Sequence, residues 1–148
     1  MRALIDMDAR VILETRLKVL EDHLSAENEH KIDGIMRTFS PEAQLIFNGR
    51  PFVTREEIYK LHESFGFSEM GSFSRLKIEI ANKFVTEDTV ILEQNFSGVH
   101  TGEWMGIAAT GKVFKLDICT IYQFDGKNKI RCERVYLDWS SLRKQLAR

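Results

Sequence analysis

From Arg75 onward the apolar residues of this chain change their spacing from three or four to two, and that switch constrains the fold more than any other feature. In Arg75–Thr86, Leu76, Ile78, Ile80 and Phe84 alternate with Lys77, Glu79 and Lys83, the period of a strand with one buried face. Thr89–Thr101, Val113–Phe124 and Ile130–Trp139 read as three further strands. Gly102 to Lys112, with its Thr110-Gly111 turn, connects the second of these to the third, and Asp125-Gly126-Lys127-Asn128 is hairpin chemistry before the last. Strands of about 12 residues are twice the usual length of about 5–6, which predicts a strongly curved sheet.

The first half reads as helices. Val11, Ile12, Leu17, Leu20 and Leu24 recur at helical steps across residues 8–27. Asn28 could cap a second helix with Ile32, Ile35, Met36 and Phe39 on one side. Ser40-Pro41 should end it, because the residue before proline disfavours the helical region. Ala43 to Phe47 reads as a short strand, and Asn48-Gly49-Arg50-Pro51 as a turn. Thr54-Arg55-Glu56-Glu57 is a capping box opening a third helix that carries Ile58, Leu61, His62 and Phe65. Ser140 could cap a short last helix, 141–146. Helices segregated from a run of antiparallel strands make an α+β domain. With no repeat, linker or low-complexity stretch, residues 1–148 read as one domain, a sheet wrapped around helices with a cavity between them.

Charge and composition narrow the function. Against 22 Asp+Glu stand 21 Lys+Arg, a net charge of -1, which offers no basic field for nucleic acid and no polybasic membrane patch. No apolar window approaches the ~18–20 residues of a spanning helix. With no signal peptide at the start and no lipidation box at the end, the sequence reads as cytoplasmic. Cys119 and Cys132 match no zinc motif. A two-residue Asp125-Gly126 turn would set them face to face across a hairpin, a longer loop through Asn128 would part them, and a reducing compartment would leave both as thiols. No His-x-x-x-His pair, carboxylate cluster or phosphate loop is visible, so no metal or cofactor is expected.

His100-Thr101-Gly102-Glu103-Trp104 and the residues on to Lys112, then Asp125-Gly126, Lys129-Ile130, Tyr136-x-Asp138 and Leu142-x-x-Gln145-Leu146, form a recognisable series. Together they resemble the SnoaL-like polyketide cyclases and their ester-cyclase relatives, within the nuclear transport factor 2-like superfamily that also holds ketosteroid isomerase and scytalone dehydratase. The resemblance implies a cystatin-like, cone-shaped curved antiparallel sheet around N-terminal helices, with a cavity for a small apolar molecule, often in a homodimer. It places the cyclase aspartate position on Val135 and the histidine position on Cys119 or Thr120, so the cyclase pair is not reproduced. The ketosteroid isomerase base falls near Phe47 or Asn48 and its oxyanion acid near Thr120.

Two other residues are candidates for catalysis. His100, at the end of a long strand, could act as acid or base near neutral pH, or could bond loop backbone. Glu133 shares a strand face with Val135; it is either a buried carboxylate lining the cavity or a surface group paired with Arg131 or Arg134. Phe47, Phe96, Trp104, Tyr122 and Tyr136 are candidate aromatic walls, and Asn48, Gln94, Thr120 and Val135 candidate ligand contacts. Asp138 suits the cap of the last helix and Asp117 an outer sheet face. His23, His30 and His62 lie on helices without ligand-like spacing and read as solvent-facing or packed. Lys115, Asp117, Cys119 and Ile121 form a mixed strand face that could meet its own copy. Two functions fit: a cofactor-independent cyclase, isomerase or dehydratase moving a proton beside a carbonyl, or a non-catalytic module binding an apolar ligand or dimerising.

Overall fold

The computed structural model describes the backbone of residues 2–147 and the side chains of 7–147. Helix α1 (Arg2–Asn28) and short α2 (Ile32–Thr38) lead into β1 (Phe39–Phe47) and β2 (Arg50–Phe52). Then follow α3 (Arg55–Phe65), β3 (Phe73–Val85), β4 (Thr89–His100), β5 (Val113–Phe124), β6 (Ile130–Leu137) and α4 (Trp139–Leu146). The strands form one six-stranded sheet in the order β2-β1-β6-β5-β4-β3. The expected α+β architecture is present, with one refinement: β1 runs parallel to β6, so the curved sheet is mixed.

Strands β4 and β5 alternate as their sequence requires, but β3 does so only as far as Ile78: beyond it the register shifts, and Ile80 and Phe84, expected on the buried face, are exposed. Along β5, Phe114, Leu116, Ile118, Thr120, Tyr122 and Phe124 point into the core, and Lys115, Asp117, Cys119 and Ile121 point out. In β6 the ladder shifts at Arg131, so Ile130 and Glu133 both become buried although they are three residues apart. A bulge reverses strand parity in this way. Similar shifts in β3 bend the sheet. Helix α1 lays Leu20, His23, Ala26 and Glu27 against the concave face, the i, i+3, i+7 stripe of a helix with one covered side.

Several local expectations are corrected. Asn28 does not cap α2, which starts at Ile32 with Lys31 at the N-cap position and no side-chain cap. Its amide instead bonds the N–H and C=O of Ile78 at 2.8 and 3.0 Å, covering backbone on edge strand β3. The chain turns extended before Pro41 rather than at it, and Pro41 lies where the β1–β6 register is interrupted, a break in the ladder where a missing N–H is tolerated. The last helix is capped by Asp138, which accepts from the Ser141 N–H, not by Ser140. The hairpin loop is the longer one, so Gln123 faces Cys132, Cys119 faces Tyr136, and both cysteines are free.

The capping box forms as expected, with Thr54 and Glu57 exchanging bonds with each other's backbone. Gln145 reveals why the last motif of the series matters: its amide accepts from Lys115 N–H and donates to Lys115 C=O, both at 2.9 Å. That completes β5 where β6 has already ended.

Candidate active site

Sheet and helices line a small cavity of about 40 Å³ between Leu45, Phe47, Leu61, His62, Phe65, Phe67, Ile78, Phe96, Ile118, Tyr122, Val135 and Leu137. Its aromatic and aliphatic walls converge on a narrow interior. The polar groups facing it are Glu27 and His62 from the helices and Gln94, Thr120, Tyr122 and Glu133 from the sheet, with no lysine or arginine among the lining residues.

The polar floor is built by three elements. One turn of α1 sets His23 and Glu27 at i and i+4, β6 contributes Glu133, and α3 contributes His62. His23 Nε2 lies 3.3 Å from Glu27 Oε1 and 3.7 Å from Glu133 Oε2, and His62 Nε2 lies 4.0 Å from Glu27 Oε1. All four side chains are buried.

Their other nitrogens fix the tautomers. The Thr38 hydroxyl donates to Ile35 C=O at 2.6 Å, so at 2.7 Å from His23 Nδ1 it must accept that nitrogen's hydrogen. His62 Nδ1 donates to Ile58 C=O at 2.8 Å. In each neutral ring Nε2 is therefore the unprotonated nitrogen, and it lies close to a carboxyl group. Lone pair against carboxylate is repulsive unless a proton lies between them.

Burial supplies that proton. Desolvation pushes the Glu133 carboxyl up to about 8; His23 pulls it down and Glu27 adds to the rise. Desolvation pushes Glu27 up to about 7, against the attraction of His62. Burial lowers both histidines, with Glu133 opposing the shift at His23 and Glu27 opposing it at His62. All four shifts favour the neutral forms of these groups. Glu27 Oε2, Glu133 Oε2 and His23 Nε2 have no geometrically good hydrogen-bond partner. One donor atom from each of His23, Glu27 and Glu133 falls within 4.8 Å of the others, a spacing that suits a bound cation as well as shared protons. The expectation that the chain has no carboxylate cluster is therefore corrected.

A second polar group lies beside the floor. Thr120 Oγ1 donates to Gln94 Oε1 at 2.9 Å, which turns the Gln94 Nε2 amide, buried and without an acceptor, toward the cavity. Tyr122 stands directly opposite Glu133 in the β5–β6 ladder. Its phenol is held protonated by burial and by the two carboxyls.

The expected site residues divide. Glu133, Gln94, Thr120, Tyr122, Phe47, Phe96 and Val135 line the cavity. His100 does not join Glu133. Glu133 pairs with Tyr122, Tyr122 with Val90, and His100 lies ten residues farther along β4, on the order of 30 Å of strand. His100 is buried against Phe73, accepts from Thr110 N–H at 3.3 Å, and organises the following loop. Asn48 ties the end of β1 to Leu137 through two 2.9 Å bonds and lies outside the cavity. Trp104 packs between Phe73 and Trp139. Tyr136 is on the outer face and 44% exposed. His23, Glu27 and His62 were missed as site residues. Their signal was a polar side chain on an apolar helical stripe: Leu20-His23-Leu24-Glu27 on α1 and Ile58-Leu61-His62-Phe65 on α3.

The family model for SnoaL-like polyketide cyclases matches residues 18–146. The chain belongs to that family. As a SnoaL-like protein it shares its fold with AclR from Streptomyces galilaeus (22% identity, TM-score 0.77, covering 90% of this chain and 96% of that one). A protein described as a SnoaL-like polyketide cyclase from Jannaschia sp. CCS1 aligns at 16% identity with TM-score 0.80, over 91% and 93% of the two chains. An LEH-like epoxide hydrolase of M. tuberculosis aligns at 13% identity with TM-score 0.70, over 90% of each chain. No curated protein sequence matches significantly. Among the described residues of this SnoaL-like chain, no helix is long and apolar enough to cross a membrane.

Proposed function

We propose that this SnoaL-like protein binds a small uncharged carbonyl compound in the enclosed cavity and moves a proton at the carbon beside the carbonyl, with Glu133 as the acid/base group. One observation carries the reading: Glu133 is a buried carboxyl with an unpartnered oxygen, facing an aromatic cavity that no lysine or arginine lines. A cavity with two carboxyls and no cation disfavours carboxylate and phosphate ligands. The converging walls suit one ring or a short chain better than a polycyclic skeleton.

The chemistry follows from the groups present. The Gln94 amide and the Tyr122 phenol offer hydrogens to the substrate oxygen. Ionised Glu133 takes the neighbouring C–H proton while those donors stabilise the enolate oxygen. Return of the proton to the same or another carbon completes exchange or isomerisation. A carboxyl held near 8 exists in both forms at physiological pH, as proton transfer in both directions requires. Neighbours of this fold are described as cyclase, hydroxylase or epoxide hydrolase, so the fold alone does not choose among chemistries.

The test is hydrogen–deuterium exchange at the carbon beside the carbonyl of one-ring ketones, cyclohexanone first, followed by proton NMR in D2O. The protein should accelerate exchange, and Glu133→Gln should reduce the acceleration by about 100-fold or more. Exchange no faster than buffer, or unaffected by Glu133→Gln, overturns the reading. The outward face of β5, with Lys115, Asp117, Cys119 and Ile121, is our proposed contact between two copies; a monomer by native mass spectrometry rejects it.

A further inference from the structure

We propose that His23 Nε2, Glu27 and Glu133 form a binding site for one divalent transition cation of the Zn²⁺ class, and that the bound cation silences the acid/base chemistry of Glu133. Binding is independent of the carbonyl reading above; only the silencing rests on it.

Two elements assemble the site. His23 and Glu27 are four residues apart on α1 and share one side of that helix, and Glu133 meets them from β6. All three side chains are buried. His23 Nε2 lies 3.3 Å from Glu27 Oε1 and 3.7 Å from Glu133 Oε2. One donor atom from each residue falls within 4.8 Å of the other two. Yet His23 Nε2, Glu27 Oε2 and Glu133 Oε2 have no hydrogen-bond partner. Separations that make poor hydrogen bonds suit ligands that share a cation. Around a tetrahedral Zn²⁺ with bonds of about 2.0–2.1 Å, neighbouring ligand atoms stand about 3.3–3.4 Å apart.

The imidazole is prepared for a metal. His23 Nδ1–H donates to Thr38 Oγ1 at 2.7 Å, and that hydroxyl is itself fixed on Ile35 C=O, so the lone pair on Nε2 is left for a ligand. A ring that gives its other N–H to a fixed acceptor is the usual state of a metal-bound histidine, and Thr38 is the positioning residue. Charge agrees with the geometry. Two ionised carboxylates with no lysine or arginine among the lining residues are a costly buried pair of like charges, and one divalent cation cancels them. Imidazole with carboxylates suits Zn²⁺ and its first-row neighbours, whereas Mg²⁺ demands near-octahedral oxygen ligands and keeps its waters. Glu27 and Glu133 also line the cavity, so the fourth position of a tetrahedral cation opens onto it. A carboxylate bound to a cation is a far weaker base than a free one, so the cation quenches proton transfer by Glu133. His62, 4.0 Å from Glu27 Oε1, lies outside the trio.

The test is ¹⁵N NMR of the histidines in the full chain, stripped of metal with EDTA and titrated with Zn²⁺ alone, with His23 assigned through its backbone. At one Zn²⁺ per chain the His23 Nε2 resonance should move to a metal-bound position while Nδ1 keeps its hydrogen on Thr38. No uptake, or uptake that moves other histidines and leaves His23 unmoved, overturns the site. By calorimetry, Zn²⁺ affinity should fall about 100-fold or more in Glu27→Gln and in Glu133→Gln, and about tenfold in Thr38→Val, with Thr38→Ser restoring it. Unchanged affinity in either glutamine variant overturns the ligand set, and the wild-type titration decides where a variant fails to fold. Mg²⁺ in about 100-fold excess should not displace Zn²⁺; displacement overturns the assignment of the cation. Deuterium exchange into cyclohexanone should stop at one Zn²⁺ per chain. Exchange that continues with the His23 resonance shifted overturns the silencing and leaves the site standing. A metal-free protein without exchange overturns the carbonyl reading and the silencing with it, and the NMR titration still decides the site.

Discussion

The Nδ1 of His23 lies 2.7 Å from the hydroxyl of Thr38, and that hydroxyl is itself committed as a donor to Ile35. A threonine at the end of α2 thereby decides which nitrogen of a buried histidine on α1 can take a proton. Replacing it with valine keeps the shape and removes the acceptor. Thr38→Val should cost about 1–3 kcal/mol of stability, the range for stranding a buried N–H, measured by urea denaturation. The ¹⁵N spectrum of His23 should show loss of the pure Nδ1–H tautomer. An unchanged tautomer would show that Thr38 does not set it.

The floor cluster makes stability depend on pH with opposite signs on its two sides. Glu133 ionises near 4.5 when unfolded and near 8 when folded. Its protonated form therefore favours the fold fully below pH 4.5, and that contribution is lost as pH rises toward about 8. The histidines are lowered, so their contribution is present above 6.5 and lost as pH falls through their depressed values. Urea midpoints should fall between pH 7 and pH 9 in the wild type and less in Glu133→Gln. At pH 9 the variant should be the more stable protein, by on the order of 2 kcal/mol.

The fold was legible wherever one face of an element had one environment. Leu76 and Ile78 follow the alternation because that part of β3 buries one side, whereas Ile80 and Phe84 do not, because β3 runs past its cover there. The β1 strand was read too short, because Pro41 argues against a strand and only its interrupted partner β6 explains it. The inward face of β4 was readable from alternation, while β5 carries apolar residues on both faces and its sequence alone left the inward one open. The inward face of β6 was not, because the shift at Arg131 cancels the parity that Glu133 and Val135 would otherwise show against Ile130. His23, Glu27 and His62 were present as polar breaks in apolar stripes. Their convergence is a tertiary fact, since 106 residues separate Glu27 from Glu133. His100 is buried by Phe73 and tied to the loop at Thr110, a placement at the far end of β4 that its sequence position alone does not reveal.

Gly66 connects the fold to the site. It closes α3 at φ 134°, and a Cβ there would come within 1.9 Å of the Phe73 carbonyl oxygen. Gly66→Ala should cost about 2–4 kcal/mol and disturb the last turn of α3, which carries His62 and Phe65. Gly49→Ala, at φ 84° with nothing within 4 Å, should cost only about 1–2 kcal/mol. Equal losses in urea denaturation would show that the close approach at Gly66 does not matter.

A bound cation and shared protons are alternative occupants of the His23–Glu27–Glu133 cluster. The proton account expects ketone exchange to survive dialysis against EDTA. It also expects added Zn²⁺ to inhibit, less strongly as pH falls and protons compete for the same donors. Loss of exchange on chelation, restored by metal, would contradict it.

The central claim is that Glu133 carries a proton in a buried cavity at physiological pH. ¹³C NMR of the glutamate side-chain carboxyl carbons, assigned with Glu133→Gln and Glu27→Gln, tests it without a substrate. The account expects two resonances titrating far above the ordinary glutamate range, near 7 and 8, with each midpoint moving when the other carboxyl is removed. Midpoints near 4.5 for both carboxyls, independent of one another, would contradict it.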